Sequence, residues 1–224
     1  DEGAKGTLRR CHIVESHYAG IEIRGSETDP EMYHSSVHGG AAVGLYVHSG
    51  GAGSLTDVTL LDNRNGAGEI SEGGRSRLSR CHLGGHSVQT SVVLDVHGVH
   101  STPQLVDCLI DATAIEESIA VKVSDAAGPV LRDVDVYGAD VGVLALGPVA
   151  PRLVGCSVHG NRVGVELKGE GGSSTLDRCS IYDNLRSIVG SHGGYARVRK
   201  SSLRAPGETG LGTELVGGAS ITVE

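Results

Sequence analysis

The chain has 224 residues and a formal net charge of −8, with 19 Lys and Arg against 27 Asp and Glu. This acidic balance argues against a nucleic-acid-binding protein, because no broadly basic face is expected. No apolar run approaches the about 20 residues of a transmembrane helix. With 35 Gly, no Phe, no Trp and one Met, the core must come from Val, Leu, Ile, Ala and Cys between many tight turns.

Nine segments of one pattern follow each other along the chain at intervals of 22 to 27 residues. In chain order, the first apolar anchors are Leu8, Met32, Leu55, Leu78, Leu105, Leu131, Leu153, Leu176 and Val198. Three residues later come Cys11, Ser35, Val58, Cys81, Cys108, Val134, Cys156, Cys179 and Ser201. Two residues further come Ile13, Val37, Leu60, Leu83, Ile110, Val136, Val158, Ile181 and Leu203. All five cysteines therefore share one column.

The last two columns are two residues apart and so share one face of a strand, whereas the step from the first column requires a bend. A second apolar alternation follows a glycine in several repeats, as in Gly142-Val143-Leu144-Ala145. Short strands without a helical period exclude helical repeats, and about 23 residues are too few for a propeller blade. The pattern predicts an all-β, right-handed parallel β-helix of about nine rungs. At about 4.8 Å per rung, the rod is on the order of 43 Å long.

We interpret residues 1–224 as one domain, with repeats over about 6–204 and a partial rung or cap over 205–224. The sequence begins without Met or a signal peptide, and we expect it to be a segment of a longer bacterial protein. Asn63, Asn161 and Asn184 occupy one corner, where stacked Asn side chains can form a ladder. Two rungs, from Leu78 and Leu105, are longer than the others, and insertions in solenoids often emerge on the binding face.

The cysteine column has two interpretations. Soft-metal binding or redox sensing is one. The other is a buried ladder of small apolar side chains, since free Cys is readily buried. Stacked neighbours such as Cys81 and Cys108 have parallel side chains, which disfavours a disulfide. We therefore expect reduced thiols, which point to a cytoplasmic location.

A carboxylate cluster is the main candidate for a catalytic site. Asp107 and Asp133 fall in the same outward column of adjacent repeats, and Asp135 lies two residues along. The neighbouring candidates are Tyr137, His82 and His159. Stacked like charges raise a pKa or attract a cation, which suits acid–base chemistry or calcium binding. The alternative is a solvated face neutralised by Arg80 and Arg132.

A second group of candidates contains metal-ligand residue types. Asp95, His97 and His100 form the tightest histidine group of the sequence. A metal site would need a third ligand from a neighbouring rung, such as Glu72 or Asp125. No Walker-type phosphate loop is present. We therefore expect no cofactor, with calcium at the carboxylate cluster as the alternative.

The nine aligned segments resemble the right-handed parallel β-helix repeat family, over about residues 6–204. Pectate-lyase-like enzymes, alginate epimerases and several non-enzymatic proteins share that fold, so the resemblance implies the fold and leaves the function open. The motifs of the pectin-cleaving branch are missing: Gly85-His86 stands alone, and no adjacent Asp-Asp occurs. The epimerase-type Asp-Pro-His is also absent, because Asp29-Pro30 is followed by Glu31. Without Trp or Phe, the chain is poorly equipped to stack on long glycans.

The leading hypothesis is a non-catalytic protein-interaction or scaffold module. As in similar β-helices, its partner is another protein or a flanking domain, such as an ATPase domain outside this chain. The alternative is a glycan-acting lyase, hydrolase or epimerase, or a carbohydrate-binding β-helix, that uses the carboxylate cluster. A third hypothesis, metal handling, follows from a branch of the family linked to periplasmic copper. Neither nucleic acid nor a membrane is an expected partner.

Overall fold

The computed structural model describes residues 3–85, 92–113, 117–204 and 211–224, and all regular structure in these ranges is β-strand. The strands form three parallel sheets in which each strand pairs with the equivalent strand of the next repeat. Each rung contributes three successive strands, one to each sheet. The rungs are numbered in chain order, so that Leu8 lies in rung one and Val198 in rung nine. None of the described residues lies in a helix long and apolar enough to cross a membrane.

Within each sheet, neighbouring strands come from successive repeats along the rod. The first sheet contains β1 (Thr7–Arg9), β4 (Glu31–Tyr33), β7 (Ser54–Thr56), β10 (Arg77–Ser79), β13 (Gln104–Val106), β16 (Val130–Arg132), β19 (Arg152–Val154), β22 (Ser174–Asp177), β25 (Tyr195–Arg199) and β28 (Ser220–Val223). The second contains β2 (His12–Val14), β5 (Ser36–His38), β8 (Thr59–Leu61), β11 (His82–Gly84), β14 (Leu109–Asp111), β17 (Asp135–Tyr137), β20 (Ser157–His159), β23 (Ser180–Tyr182) and β26 (Ser202–Arg204). The third contains β3 (Ile21–Arg24), β6 (Leu45–His48), β9 (Gly68–Ile70), β12 (Val92–His97), β15 (Ile119–Ser124), β18 (Val141–Leu146), β21 (Val163–Lys168), β24 (Arg186–Ser191) and β27 (Leu211–Leu215).

The pairing register confirms the columns predicted from the sequence. Leu78 pairs with Leu105, and Leu105 pairs with Leu131. In the second sheet, Ile110 pairs with Val136. These apolar columns point inward and form one core that runs through the rungs. The outward positions between them carry mostly polar side chains, as expected for strands that alternate between core and solvent, with apolar exceptions such as Val106, Leu109 and Val154.

A single left-handed residue makes the bend between the first and second sheets in every repeat. We call these nine positions the turn column: Arg10, His34, Asp57, Arg80, Asp107, Asp133, Gly155, Arg178 and Lys200. Their φ angles lie between 47° and 67°. Left-handed backbone is uncommon outside Gly, Asn, Asp and His, so the Arg and Lys members are conformationally unfavourable. Stacking on equivalent turns above and below holds them there, as in the hydrogen bond from the Asp107 N–H to the Arg132 carbonyl (3.0 Å).

The predicted asparagine ladder is present where two Asn-containing rungs are adjacent. Asn161 and Asn184 are buried, and the Asn161 N–H and Nδ2 each donate to Asn184 Oδ1 at 3.0 Å. Asn63, which has no Asn in an adjacent rung, is also buried and accepts from the Gly40 N–H at 3.1 Å. Next to this ladder the backbones approach so closely that a Cβ at Gly164 would lie 2.6 Å from the Ser187 carbonyl oxygen.

All five cysteines are free. Cys81, Cys108, Cys156 and Cys179 are buried in the core, and Cys11 is partly buried against it. The Cys81 N–H lies 3.4 Å from Cys108 Sγ. Contact with the Cys108 thiol, together with burial, raises the pKa of Cys81, so this thiol stays protonated at neutral pH.

Two regions singled out in the sequence lie partly outside the described residues. The insertions of the two long rungs include residues 86–91 and 114–116, and the stretch after Leu203 includes residues 205–210. Beyond that stretch, β27 continues the third sheet and β28 continues the first. Ile221 packs against the core, whereas the Val223 side chain is 74% exposed.

Candidate functional site

The predicted carboxylates lie on two different surfaces of the rod. Asp107 and Asp133 are stacked and exposed in the turn column, as the alignment predicted. Asp135 lies on the outer face of the second sheet, where it pairs with Leu109. Arg80, expected to neutralise the cluster, forms a bidentate pair with Asp57 at 2.8 and 2.9 Å. Its pKa is raised mainly by Asp57 and to a smaller extent by the charge of Asp107.

The outer face of the second sheet carries a stack of rings. In register, Tyr137 pairs with His159 and His159 pairs with Tyr182. The Tyr137 and His159 centroids are 5.4 Å apart with 11° between the ring planes, and the His159 and Tyr182 centroids are 4.8 Å apart with 12°. We call Tyr137, His159 and Tyr182 the ring ladder. Both faces of the His159 ring are covered by tyrosines, so the ladder presents ring edges to solvent.

Charged groups continue the ladder at both ends. The Arg204 guanidinium lies 5.9 Å from the centroid of Tyr182, within the range of a cation–π contact. At the other end, Asp111 pairs in register with Tyr137. Beside the ladder, Asp135 Oδ1 is 2.9 Å from His159 Nε2, an ion-pair distance without hydrogen-bond geometry.

The two ionisable groups at the Asp111 end are shifted in opposite directions. Burial opposes ionisation of Asp111, but hydrogen bonds from Thr113 and from the Tyr137 hydroxyl outweigh it and lower the pKa of Asp111. Burial and the neighbouring Asp111 carboxylate raise the pKa of Tyr137. At neutral pH this end therefore holds a carboxylate that accepts from a neutral phenol. A catalytic general acid has the opposite requirement, a carboxyl pKa raised towards the working pH.

His82 lies on the second sheet one rung before Asp111. It lies on β11, next to Leu109 of β14, and in its protonated form it would help to lower the pKa of Asp111. Its Nε2 atom is buried and has no hydrogen-bond partner among the described residues. His82 thus contributes to the field at Asp111 but does not belong to the ring ladder.

The metal-ligand candidates lie on the third sheet, and each strand member has a partner in an adjacent rung. Asp95 Oδ2 accepts a hydrogen bond from Lys122 Nζ at 2.9 Å, and His97 Nε2 lies 3.1 Å from Glu69 Oε1. His100 follows the strand and is exposed. Across the described ranges, no three His, Cys, Asp or Glu side chains are arranged to hold a metal ion.

A feature that was not predicted from the sequence lies on the third sheet. Tyr46 pairs in register with Glu22 on one side and with Glu69 on the other. These three residues and Tyr18 line a surface depression of about 360 Å³. The Tyr18 side chain is 85% exposed. Tyr46 stacks on His48 with centroids 4.3 Å apart, and His48 Nε2 lies 3.0 Å from Glu22 Oε1.

Tyr182 was not predicted either, although the alignment contains the signal. Asp111, Tyr137, His159 and Tyr182 each follow the inward Ile or Val of the third apolar column by one residue. Proximity to carboxylates singles out Tyr137 and His159 but not Tyr182. The recurrence of ring-bearing residues down one column identifies the whole ladder.

A comparison with models of protein families establishes the family of this chain. A family model described as a right handed beta helix region matches residues 1–146. The chain belongs to this right-handed β-helix family. No curated protein matches the chain.

Two solved structures resemble the β-helix at low identity. Pectate lyase Pel9A is 12% identical with a TM-score of 0.49, and the match covers 97% of this chain and 60% of the lyase. QnrB1, a plasmid-mediated fluoroquinolone resistance protein, is 11% identical with a TM-score of 0.33, and the match covers 97% of this chain and 91% of QnrB1. The β-helix therefore spans 60% of the length of the lyase. At these identities the likeness carries no argument about function.

Proposed function

We propose that this β-helix is a non-catalytic interaction module that binds a protein partner through the ring ladder on its second sheet. The observation that carries the proposal is the stacking of His159 between Tyr137 and Tyr182. Side chains already held in one arrangement lose little conformational entropy on binding. Tyr and Arg are also enriched at protein interfaces, and Arg204 extends the ladder.

The same geometry argues against the glycan-acting alternative at this face. A sugar ring stacks on the face of an aromatic ring, and the stacked neighbours occupy the faces within the ladder. The three predicted carboxylates do not form a carboxylate pair, because Asp107 and Asp133 lie in the turn column and Asp135 lies on the second sheet beside His159. The Asp135–His159 contact is the arrangement that the turnover assay below tests. The ring ladder and the carboxylates near it therefore suit recognition of a partner better than proton transfer to a substrate.

Site-specific crosslinking tests whether the ring ladder binds a protein. A photoreactive residue at Ser180, which is exposed two positions before Tyr182, should capture a partner in cells of the source organism. The same photoreactive residue, introduced in place of Arg24, serves as the control, because Arg24 is exposed on the third sheet. The captured protein is then identified, purified and titrated against the β-helix. Capture at both positions, or at neither, would contradict the proposal.

The titration uses two tyrosine variants matched in their contacts. Tyr182→Ala removes the outer ring of the ladder and should weaken binding about tenfold, which corresponds to about 1.4 kcal/mol. Tyr46→Ala removes a ring that stacks on a histidine of the third sheet and should leave affinity unchanged. Equal losses for both variants would mean that the ladder is not the binding surface.

A turnover assay tests the enzymatic alternative separately. The wild-type protein is incubated with neutral and acidic polysaccharides, with and without calcium, and the products are sized by mass spectrometry. We expect no change in chain length or composition. Product formation that Asp135→Asn abolishes would overturn the non-catalytic proposal.

A second candidate function, carbohydrate binding, rests on the depression of the third sheet. Unlike the ladder, it exposes Tyr18, whose ring is available for stacking, beside Glu22 and Glu69. Titration with oligosaccharides would test it. If sugars bind there, Tyr18→Ala should abolish binding and Tyr182→Ala should not. Retained binding in Tyr18→Ala would exclude the depression.

We also propose, from the sequence, that the module works in a reducing compartment as part of a longer bacterial protein with an ATPase domain. The five free thiols support the compartment. The full open reading frame tests both points. An encoded ATPase domain would support the scaffold role, whereas a signal peptide would favour an exported enzyme.

A further inference from the structure

The positive charges of this acidic protein are not evenly distributed over its surface. Six cationic side chains lie close together on the outer face of the first sheet and in the turn column of rungs six to nine, and all are exposed. We call them the basic patch: Arg132, Arg152, Arg178, Arg197, Arg199 and Lys200. The net charge of −8 predicted no broadly basic face. The repeat spacing brings these cations together from distant parts of the sequence, in a local patch that the overall net charge does not reveal.

The strand register builds the patch. Arg152 and Arg197 both pair with Thr175, one from each side, and therefore stand two rungs apart in one column. In the next outward column, Arg132 pairs with Val154 and Arg199 pairs with Asp177. The patch spans three rung intervals, about 14 Å along the rod.

The carboxylates of this region neutralise the patch only in part. Asp133 occupies the turn column in rung six, directly after Arg132. Asp177 lies 2.9 Å from Arg178, and Glu224 lies 3.0 Å from Arg199 and 3.5 Å from Arg197. Arg132, Arg152 and Lys200 form no ion pair with any described residue. Their charges are therefore available to a ligand.

We propose that the basic patch binds a short acidic segment of a protein partner. Five of its six cations are arginines, whose planar guanidinium groups match carboxylates in a bidentate arrangement. The Asp177 carboxylate inside the patch is compatible with a peptide that carries spaced acidic residues. The inference rests on the proposed function in one respect, that the partner is a protein, but it concerns a different surface.

A long polyanion fits this surface less well. Beyond the patch, the rest of the molecule carries a negative charge larger than the net −8, so a nucleic acid or an acidic polysaccharide extending past rung six would be repelled. An acidic segment about 14 Å long covers the patch without reaching the acidic remainder.

Fluorescence anisotropy with a labelled five-residue peptide of alternating Glu and Ser, about 16 Å long when extended, tests the inference. We expect saturable binding to the wild-type protein that weakens as salt is raised, because the contacts are exposed ion pairs. Arg152→Glu with Arg197→Glu should weaken binding about tenfold. The matched control, Arg75→Glu with Arg77→Glu, makes the same change in net charge and alters the same strand position of β10. It should weaken binding less than twofold.

The outcomes separate this inference from the proposed function. Absence of peptide binding, or equal losses in the two double variants, would overturn the patch as a binding surface. Tighter binding of a labelled oligonucleotide or of polygalacturonate than of the peptide would overturn the assignment of a protein partner. Neither result affects the crosslinking test at Ser180, which concerns the ring ladder. Circular dichroism of each variant confirms that it is folded.

Discussion

At the scale of single residues, the inward and outward positions of one repeat differ sharply in burial. Leu105 is fully buried in the first apolar column, whereas Asp107, two positions later, is exposed in the turn column. Leu105→Ala should lower the free energy of unfolding by about 2–5 kcal/mol because it leaves a cavity. Asp107→Asn should change it by less than about 0.5 kcal/mol. Urea denaturation of both variants checks this, and the reverse order would mean that the assigned faces are interchanged.

Asp111 links the candidate surface to pH. Its folded-state pKa lies below the unfolded value of about 3.9, so the unfolded chain takes up the proton first as pH falls. The stability from Asp111 is therefore complete above about pH 4 and is lost as pH falls through the folded pKa. Tyr137→Phe removes a hydrogen bond to the carboxylate and should raise the Asp111 pKa, measured by NMR titration of the side-chain carboxyl carbon. An unchanged pKa would show that Tyr137 does not stabilise the charge.

At the scale of structural elements, the turn column connects the sheets through left-handed residues of very different chemistry. Asp133 has a φ of 53°, and the next rung has Gly155 at the same position. Asp133→Val should destabilise by about 1–2 kcal/mol, because a β-branched side chain disfavours this conformation. Asp133→Gly should be close to neutral. Thermal or urea unfolding distinguishes the two, and a neutral valine variant would contradict the assigned backbone.

The asparagine ladder is a second repeated element with a measurable contribution. Asn161 Oδ1 accepts a hydrogen bond from the Ala139 N–H at 2.9 Å inside the rod. Asn161→Ala leaves that donor unsatisfied and should cost about 1–3 kcal/mol. Asn65→Ala, at an exposed position, should cost little. Similar midpoints for both variants in urea would show that the corner is solvated.

At the scale of the whole molecule, different features were predictable to different degrees. The core columns and their register followed from the sequence because apolar residues recur in every repeat, as Leu105 and Ile110 illustrate. The left-handed backbone of the turn column could not be predicted from the sequence. Arg and Lys, which occupy several of its positions, do not favour that conformation. The basic patch was hidden because a net charge averages over all faces. Tyr137 and His159 of the ring ladder were singled out because they lie near the carboxylates, whereas Tyr182 was missed although the same column of the alignment contains it.

The ring ladder is, in our proposal, the face that a protein partner covers. Hydroxyl-radical footprinting of the β-helix, alone and with the partner captured at Ser180, measures the exposure of every tyrosine in one experiment. We predict that oxidation of Tyr137 and Tyr182 falls on complex formation, while Tyr18 and Tyr46 on the third sheet are oxidised as before. Protection of Tyr18 and Tyr46 instead, with Tyr137 and Tyr182 unchanged, would contradict the proposal.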